Sequence, residues 1–119
     1  MPKLVADKAI PFLAGVFEAH GWSVEYLAGN VISRRDLLDA DALIVRTRTR
    51  CDEALLAGTP VRAVASATIG ADHLDLDYLA RSGIAWTNAA GCNAGSVAQY
   101  IESALLHLAL KHRLMLRGK

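Results

Sequence analysis

Short runs of aliphatic and β-branched residues alternate with turns and amphipathic stretches along most of this sequence. The runs have the composition of strands, and they are Lys3–Ala6, Ser23–Leu27, Ala42–Val45, Val61–Ala65 and Ile84–Thr87. Helix-forming segments separate them, an order typical of βαβ units whose strands pair in parallel. The pattern predicts an α/β fold: a flavodoxin-like, doubly wound parallel sheet of five strands, with the order 2-1-3-4-5 and helices on both faces.

The segments between these runs have helical spacing or residues that end helices. They are Ile10 to His20, followed by Gly21; Arg34 to Leu38; Glu53 to Leu56; and Leu74 to Ser82, followed by Gly83. Asp72 is predicted to cap the last of these helices, with His73 in its first turn.

The last part of the chain has a wider apolar pattern. From about Ala94 onward, one apolar stripe at helical spacing is formed by Val97, Ile101, Leu105 and Leu108. Three further leucines widen this stripe, and they are Leu106, Leu110 and Leu114. A helix packed on a sheet through one face cannot cover so wide a stripe. We therefore expect residues 1–93 to form one domain and residues 94–119 a long interdomain helix. Another domain or a second copy in a homodimer would cover it, and the alternative is an ordinary terminal helix packed on the sheet.

Composition limits the classes of partner. The chain has 119 residues, 53% of them hydrophobic, and a formal net charge of +1. This suffices for one core and gives no broad attraction to nucleic acid or to a membrane surface. Cys51 and Cys92 lack metal-ligand spacing, and the apolar stretches are too short for a membrane span. We expect a cytoplasmic protein with reduced thiols, no bound metal and no signal peptide.

Ligand chemistry is expected at the carboxyl ends of the strands, where an open α/β sheet leaves a crevice. The first loop there is the run Arg46 to Arg50, whose hydroxyl and guanidinium groups can donate to phosphate or carboxylate oxygens. Taken by itself, Thr47 is explained more simply as the cap of a turn beside solvated arginines.

Two further loops follow later strands. In the loop from Ser66 to Asp72, Gly70 lets the backbone approach a ligand closely, and Thr68 adds a hydroxyl donor. The loop from Asn88 to Asn93 precedes the terminal helix and contains Cys92. A thiol at a helix start can be activated, but no partner histidine is identifiable, so nucleophilic catalysis is not expected.

Two runs in these loops resemble the substrate domain of the D-2-hydroxyacid dehydrogenases. They are Val64-Ala65-Ser66-Ala67-Thr68-Ile69-Gly70-Ala71-Asp72-His73-Leu74-Asp75 and Gly91-Cys92-Asn93-Ala94-Gly95-Ser96-Val97-Ala98-Gln99-Tyr100. The Gly-Cys-Asn-Ala run, with Asp-His where the wider family carries Asp-Asn, resembles the branch that oxidises 4-phospho-D-erythronate. The resemblance extends from Leu4 to about Leu110. It departs from the usual pattern at Ala90, normally proline, and at Gln99, normally glutamate.

The resemblance implies a function and assigns roles to residues. It implies NAD-dependent oxidation of the C2 hydroxyl of 4-phospho-D-erythronate, a small phosphorylated 2-hydroxy acid, in pyridoxal phosphate (vitamin B6) synthesis. It also implies that Thr47 and Thr68 contact this substrate and that the peptide nitrogens around Ile69 and Gly70 hold its carboxylate. Ser96-Val97 would lie nearest the nicotinamide.

The same resemblance implies that this chain is the substrate-binding half of such an enzyme. The family's catalytic histidine, glutamate and arginine match no position here, and no G-x-G-x-x-G run is present. The cofactor-binding domain is therefore expected outside this chain, which would be inactive alone.

Two alternatives stay open. Phosphoglycerate, glycerate and hydroxypyruvate dehydrogenases share the glycine loop, although they usually lack the Gly-Cys-Asn-Ala run. A non-enzymatic, flavodoxin-like binding module would keep the sheet without the chemistry.

Overall fold

Five parallel strands form one sheet in the part of the chain that the structure describes. The structure is a computed structural model, and it describes residues 2–10, 15, 17–68 and 70–88. The strands are β1 (Lys3–Asp7), β2 (Ser23–Leu27), β3 (Ala42–Val45), β4 (Ala63–Ser66) and β5 (Ala85–Thr87). Their order is 2-1-3-4-5, and each neighbouring pair is parallel. The predicted doubly wound α/β sheet is confirmed.

The helical segments between the strands are short. They are 3₁₀ turns at Glu18–His20, Gly29–Val31 and Arg34–Leu37, and the α-helices α1 (Glu53–Leu56) and α2 (Leu76–Arg81). Gly21 ends the first 3₁₀ turn with a φ of 86°, a conformation that glycine adopts without steric cost. Of the helix predicted from Ile10 to His20, residues 11–14 and 16 lie outside the described residues, and Ile10 lies in a bend.

The sheet is buried on both faces because its central strands send alternate side chains to two apolar clusters. On one face the cluster contains Leu4, Ala6, Ala42, Ile44, Ala63 and Ala65, with Ile10, Phe17 and Trp22 packed against them. On the other face it contains Val5, Leu43, Val45 and Val64, covered by Leu37, Leu55, Leu56 and Leu79. Every residue of β3 and β4 is buried, as expected for central parallel strands.

Helix α2 begins later than the sequence pattern predicts. Its N-cap is Asp75, whose carboxylate accepts a hydrogen bond of 3.0 Å from the backbone N–H of Tyr78. The prediction that Asp72 caps this helix, with His73 in the first turn, is therefore wrong. The backbone here pairs instead with Cys51, whose N–H donates to the His73 carbonyl at 2.8 Å and whose carbonyl accepts from Asp75 at 2.9 Å. Backbone groups committed to this extended pairing are not available for helical bonds.

The interdomain helix expected over residues 94–119, and the domain boundary at residue 93, lie outside the described residues. Of the helices within residues 2–88 that the structure describes, none combines the length and apolar character that crossing a membrane requires.

Replacing Asp75 with alanine is expected to lower the free energy of unfolding by about 1 kcal/mol, because α2 loses its N-cap bond. Asp72→Ala is the matched control: it removes an exposed carboxylate from the same segment and should change stability by less than about 0.5 kcal/mol. Urea unfolding followed by circular dichroism measures both effects. A larger loss for Asp72→Ala than for Asp75→Ala would contradict this assignment of the cap.

Candidate functional site

The loops that follow β3 and β4 begin side by side at the carboxyl edge of the sheet. Val45 is paired with Ser66 in the parallel register, and the ladder continues through a 2.9 Å bond from the Ala67 N–H to the Val45 carbonyl. Thr47 and Thr68 each follow this pair by the same number of residues. Because adjacent strands lie about 4.8 Å apart, both threonines belong to one stretch of this edge.

The loop after β3 exposes one threonine and buries the other. Thr47 is exposed between Arg46 and Arg48. Thr49 is only 3% exposed, and its hydroxyl donates to the Gly29 carbonyl at 2.8 Å. Of the two hydroxyls, the one on Thr47 is therefore accessible to a ligand from solvent, with guanidinium groups on both sides in sequence.

The loop after β4 contains a chain of side-chain hydrogen bonds. Ser66 Oγ lies 2.6 Å from Thr68 Oγ1 and 2.8 Å from His73 Nε2. Thr68 Oγ1 in turn donates to the Gly70 carbonyl at 3.1 Å. Ser66 is fully buried and His73 is 8% exposed, whereas Thr68 is half-buried and Gly70 is exposed. This series of hydrogen bonds therefore extends from the protein interior to the surface of the loop.

Backbone and side-chain bonds hold the imidazole in place. The Cys51 pairing described above anchors the backbone at His73, and the Leu74 N–H donates to the Ala71 carbonyl at 3.0 Å. The guanidinium of Arg50 donates to the carbonyl of Asp72 at 3.3 Å. These contacts fix the residues on both sides of the ring, so that Nε2 faces Ser66.

Burial shifts the pKa values of two groups in opposite directions. It lowers the pKa of His73 below its ordinary value of 6.5, and the nearby Asp72 carboxylate partly opposes this shift. The neutral form of the imidazole is therefore favoured at pH 7. Burial raises the pKa of the Cys51 thiol to about 12, with a further contribution from Asp52. A thiol with this pKa is protonated at neutral pH and is not a nucleophile.

The separation of Ser66 and His73 matches that of a nucleophile and its general base. However, Ser66 has no exposed surface. A substrate atom cannot reach its hydroxyl, so the pair does not form a nucleophilic site.

The backbone at Gly70 is open to an approaching group. A Cβ placed on this glycine would have no atom of the described residues within 4 Å, beyond its immediate neighbours. By contrast, a Cβ on Gly29 would overlap a carboxylate oxygen of Asp7 and lie 3.3 Å from Thr49 Oγ1. Gly29 is therefore needed for packing, whereas Gly70 leaves space that a ligand can occupy.

The structure brings Thr47, Thr68 and Gly70 to the same edge of the sheet. The other residues proposed from the sequence, Ile69 and the pair Ser96-Val97, lie outside the described residues. Sequence patterns did not single out His73 as a partner of this loop. A histidine preceding a helix carries no signal for a contact with the end of a strand.

The turn after β1 does not fit a dinucleotide. In doubly wound nucleotide-binding sheets this turn is glycine-rich and holds the pyrophosphate. Here Asp7 is 2% exposed, its carboxylate accepts from the Ala9 N–H at 2.9 Å, and residues 8–10 include no glycine. A carboxylate in this place repels a pyrophosphate.

Within the described ranges, no group of three or more His, Cys, Asp or Glu residues is arranged to hold a metal ion.

Comparison with known proteins gives both close relatives and structural neighbours. The sequence profile described as "D-isomer specific 2-hydroxyacid dehydrogenase, catalytic domain" matches residues 4–103. The erythronate-4-phosphate dehydrogenase of Bacteroides fragilis is 51% identical over 106 residues, which cover 89% of this chain and 30% of that protein. The enzyme of that name from Azotobacter vinelandii is 50% identical over 107 residues, or 90% of this chain and 28% of that protein.

Among solved structures, the TT0316 protein from Thermus thermophilus has the same fold. It superimposes with a TM-score of 0.69 at 20% identity, covering 98% of this chain and 39% of that one.

The free energy of unfolding is expected to fall as the pH drops below 6.5, because burial lowers the His73 pKa in the folded state. The unfolded chain then binds a proton that the folded chain does not, and the dependence levels off below the folded pKa. His73→Gln, which cannot titrate, should lose this part of the pH dependence. Urea unfolding at pH values from 5 to 8, with an NMR titration of the ring protons, measures both. A His73 pKa above 6.5 would contradict the prediction.

Proposed function

The chain belongs to the D-isomer specific 2-hydroxyacid dehydrogenase family, and we propose that it is the substrate-binding part of an enzyme that oxidises 4-phospho-D-erythronate with NAD. The observation that carries the proposal is the 51% identity to the erythronate-4-phosphate dehydrogenase of Bacteroides fragilis. The chain spans 30% of that protein, so the activity, the cofactor and the substrate of the whole enzyme are all part of the proposal.

The geometry of the carboxyl edge supports binding of an anionic substrate. Thr47 and Thr68 present hydroxyl donors from adjacent strands, and the backbone at Gly70 is open to close approach. A hydroxyl that donates to a carboxylate or phosphate oxygen forms a charge-assisted bond, which is stronger than one between neutral groups. We infer that the two threonines hold and orient the substrate, and that the backbone N–H groups around Ile69 and Gly70 accommodate its carboxylate.

Hydride transfer needs groups beyond the described residues of this chain. NAD bound by the complete enzyme would supply the hydride acceptor for oxidation at C2 of the substrate. The proton of the C2 hydroxyl requires a general base, and His73 does not qualify because it is buried and hydrogen-bonded to Ser66. The described residues therefore bind and orient substrate, while acid–base catalysis falls to the rest of the enzyme.

Two broader properties complete the proposal. We infer a place in pyridoxal phosphate synthesis and a cytoplasmic location, since a doubly charged phosphate ester does not cross a membrane unaided. A homodimer is supported by the apolar stripe of the terminal segment and stays a prediction from the sequence.

In the complete enzyme, Thr68→Ala and Thr47→Ala should each lower kcat/KM for 4-phospho-D-erythronate about tenfold to a hundredfold, because each loses a hydrogen bond to a charged group. The KM for NAD should be nearly unchanged. Steady-state kinetics at saturating NAD measures these effects.

Thr59→Ala is the matched control for this experiment. Thr59 precedes β4, and its hydroxyl donates to the Leu56 carbonyl at 2.7 Å, away from the carboxyl edge. Its replacement should leave kcat/KM unchanged. Full activity of the Thr68→Ala and Thr47→Ala variants, or turnover of 3-phospho-D-glycerate without turnover of 4-phospho-D-erythronate, would overturn the proposal.

The 119-residue chain alone is expected to bind neither NAD nor NADH, because β1 ends in Asp7 and the sequence has no glycine-rich phosphate-binding run after it. Isothermal titration calorimetry with both nucleotides tests this. Saturable binding at micromolar concentration would show that this chain supplies the main cofactor contacts, contrary to the proposed division of roles.

A further inference from the structure

We propose that His73 is a positioning residue that acts through Ser66 to direct the hydroxyl proton of Thr68 toward an anionic oxygen of the substrate. The inference rests on the proposed function, in which Thr68 contacts that substrate. It goes beyond that function by giving a role to a buried histidine that is not part of the proposed binding surface.

The direction of the hydrogen bonds follows from counting protons, since each hydroxyl has only one to donate. Thr68 donates its proton to the Gly70 carbonyl at 3.1 Å. The 2.6 Å contact between Thr68 and Ser66 then requires the proton of Ser66. Ser66 has no second proton, so its 2.8 Å contact with His73 requires an N–H at Nε2. The arrangement therefore selects the tautomer of His73 that is protonated on Nε2.

The opposite tautomer would reverse the direction of the hydrogen bonds that link His73, Ser66 and Thr68. With its proton on Nδ1, His73 would accept at Nε2 from Ser66, and Ser66 would then accept from Thr68. The single proton of Thr68 would be directed into the protein, and its hydroxyl could only accept from a ligand. An anionic oxygen cannot donate, so it would lose this contact. The His73 tautomer thus determines whether Thr68 is a donor at the surface.

The outer bond of the chain is the one that a substrate can replace. At 3.1 Å it is longer than the usual range for a bond between a hydroxyl and an oxygen acceptor, and it lies at the exposed end of the chain. No atom of the part of the chain that the structure describes lies within 4 Å of a Cβ placed on Gly70, apart from its neighbours in sequence. A carboxylate or phosphate oxygen can therefore take the place of the Gly70 carbonyl while the two inner bonds stay. These bonds polarise Thr68 in the direction that favours donation.

The surroundings of His73 favour its neutral form at neutral pH. Burial lowers its pKa, the Asp72 carboxylate partly opposes this shift, and the Arg50 guanidinium is bound to the Asp72 carbonyl. The adjacent Cys51 thiol is protonated because burial raises its pKa to about 12. The direction of these hydrogen bonds therefore depends on which nitrogen of the neutral His73 ring carries the proton.

Two amide substitutions at position 73 separate this role from simple packing. The side-chain amide of glutamine reaches about as far as Nε2 of histidine, whereas that of asparagine reaches only as far as Nδ1. In the complete enzyme, His73→Gln should keep the KM for 4-phospho-D-erythronate within about twofold of the wild type. His73→Asn and Ser66→Ala should each raise it about tenfold, with the KM for NAD unchanged. Equal KM values for the glutamine and asparagine variants would overturn the proposal.

A double-mutant comparison tests whether Ser66 acts through Thr68. If it does, Ser66→Ala should add little to the effect of Thr68→Ala, because the hydroxyl that it positions is already gone. Independent effects, whose fold-changes in KM multiply, would overturn the proposal. Thermal unfolding of each variant identifies any that are not folded at the assay temperature, and for those the NMR measurement decides.

The tautomer can be measured without any enzymatic activity. Long-range ¹H–¹⁵N correlation spectra of the labelled 119-residue chain distinguish Nε2–H from Nδ1–H, and His73→Gln identifies the signals of His73. The expected result is a neutral ring with its proton on Nε2, and a proton on Nδ1 would overturn the proposal. Failure of the wild-type enzyme to oxidise 4-phospho-D-erythronate would overturn the proposed function instead, so the two failures are distinguishable.

Discussion

The parallel pairing of β3 with β4 is the constraint on which the rest of this structure depends. It sets Val45 beside Ser66, so the loops that follow these residues start in line at the same edge. Both strands are buried on both faces, and a slip by one residue would exchange the side chains of the two apolar clusters. Core packing therefore fixes the register, and the register fixes where Thr47 and Thr68 lie.

Polar groups within this edge are buried where they have partners, and those partners hold the loops. Thr49 bonds the Gly29 carbonyl, and Ser66 bonds both Thr68 and His73. A buried polar group without a partner costs about 1–3 kcal/mol, so each loop is strongly held in the conformation that keeps these bonds. The hydroxyls of Thr47 and Thr68 therefore lie next to buried, hydrogen-bonded residues that hold their loops in place. Precise binding of a small anion requires donors that are held in this way.

The strand pattern was predictable because it depends on local composition and on a simple rule of alternation. Each predicted strand is present, and the largest difference is at β4, which begins at Ala63 instead of Val61. The start of α2 was not predictable in the same way. Asp72 and Asp75 are both good caps by residue type, and the choice between them depends on Cys51, which is distant in sequence and pairs with the backbone at His73.

The sequence by itself determined the fold class, the strand order, and the loops that carry the polar groups proposed to bind a ligand. Apolar periodicity and the rule that sites form at carboxyl ends of parallel strands are sufficient for this. The tertiary structure alone decided which hydroxyls in those loops are accessible, with Thr47 exposed and Thr49 buried. It also decided that His73 faces Ser66, because side-chain orientation depends on contacts between segments far apart in the chain, and no local pattern in the sequence encodes them.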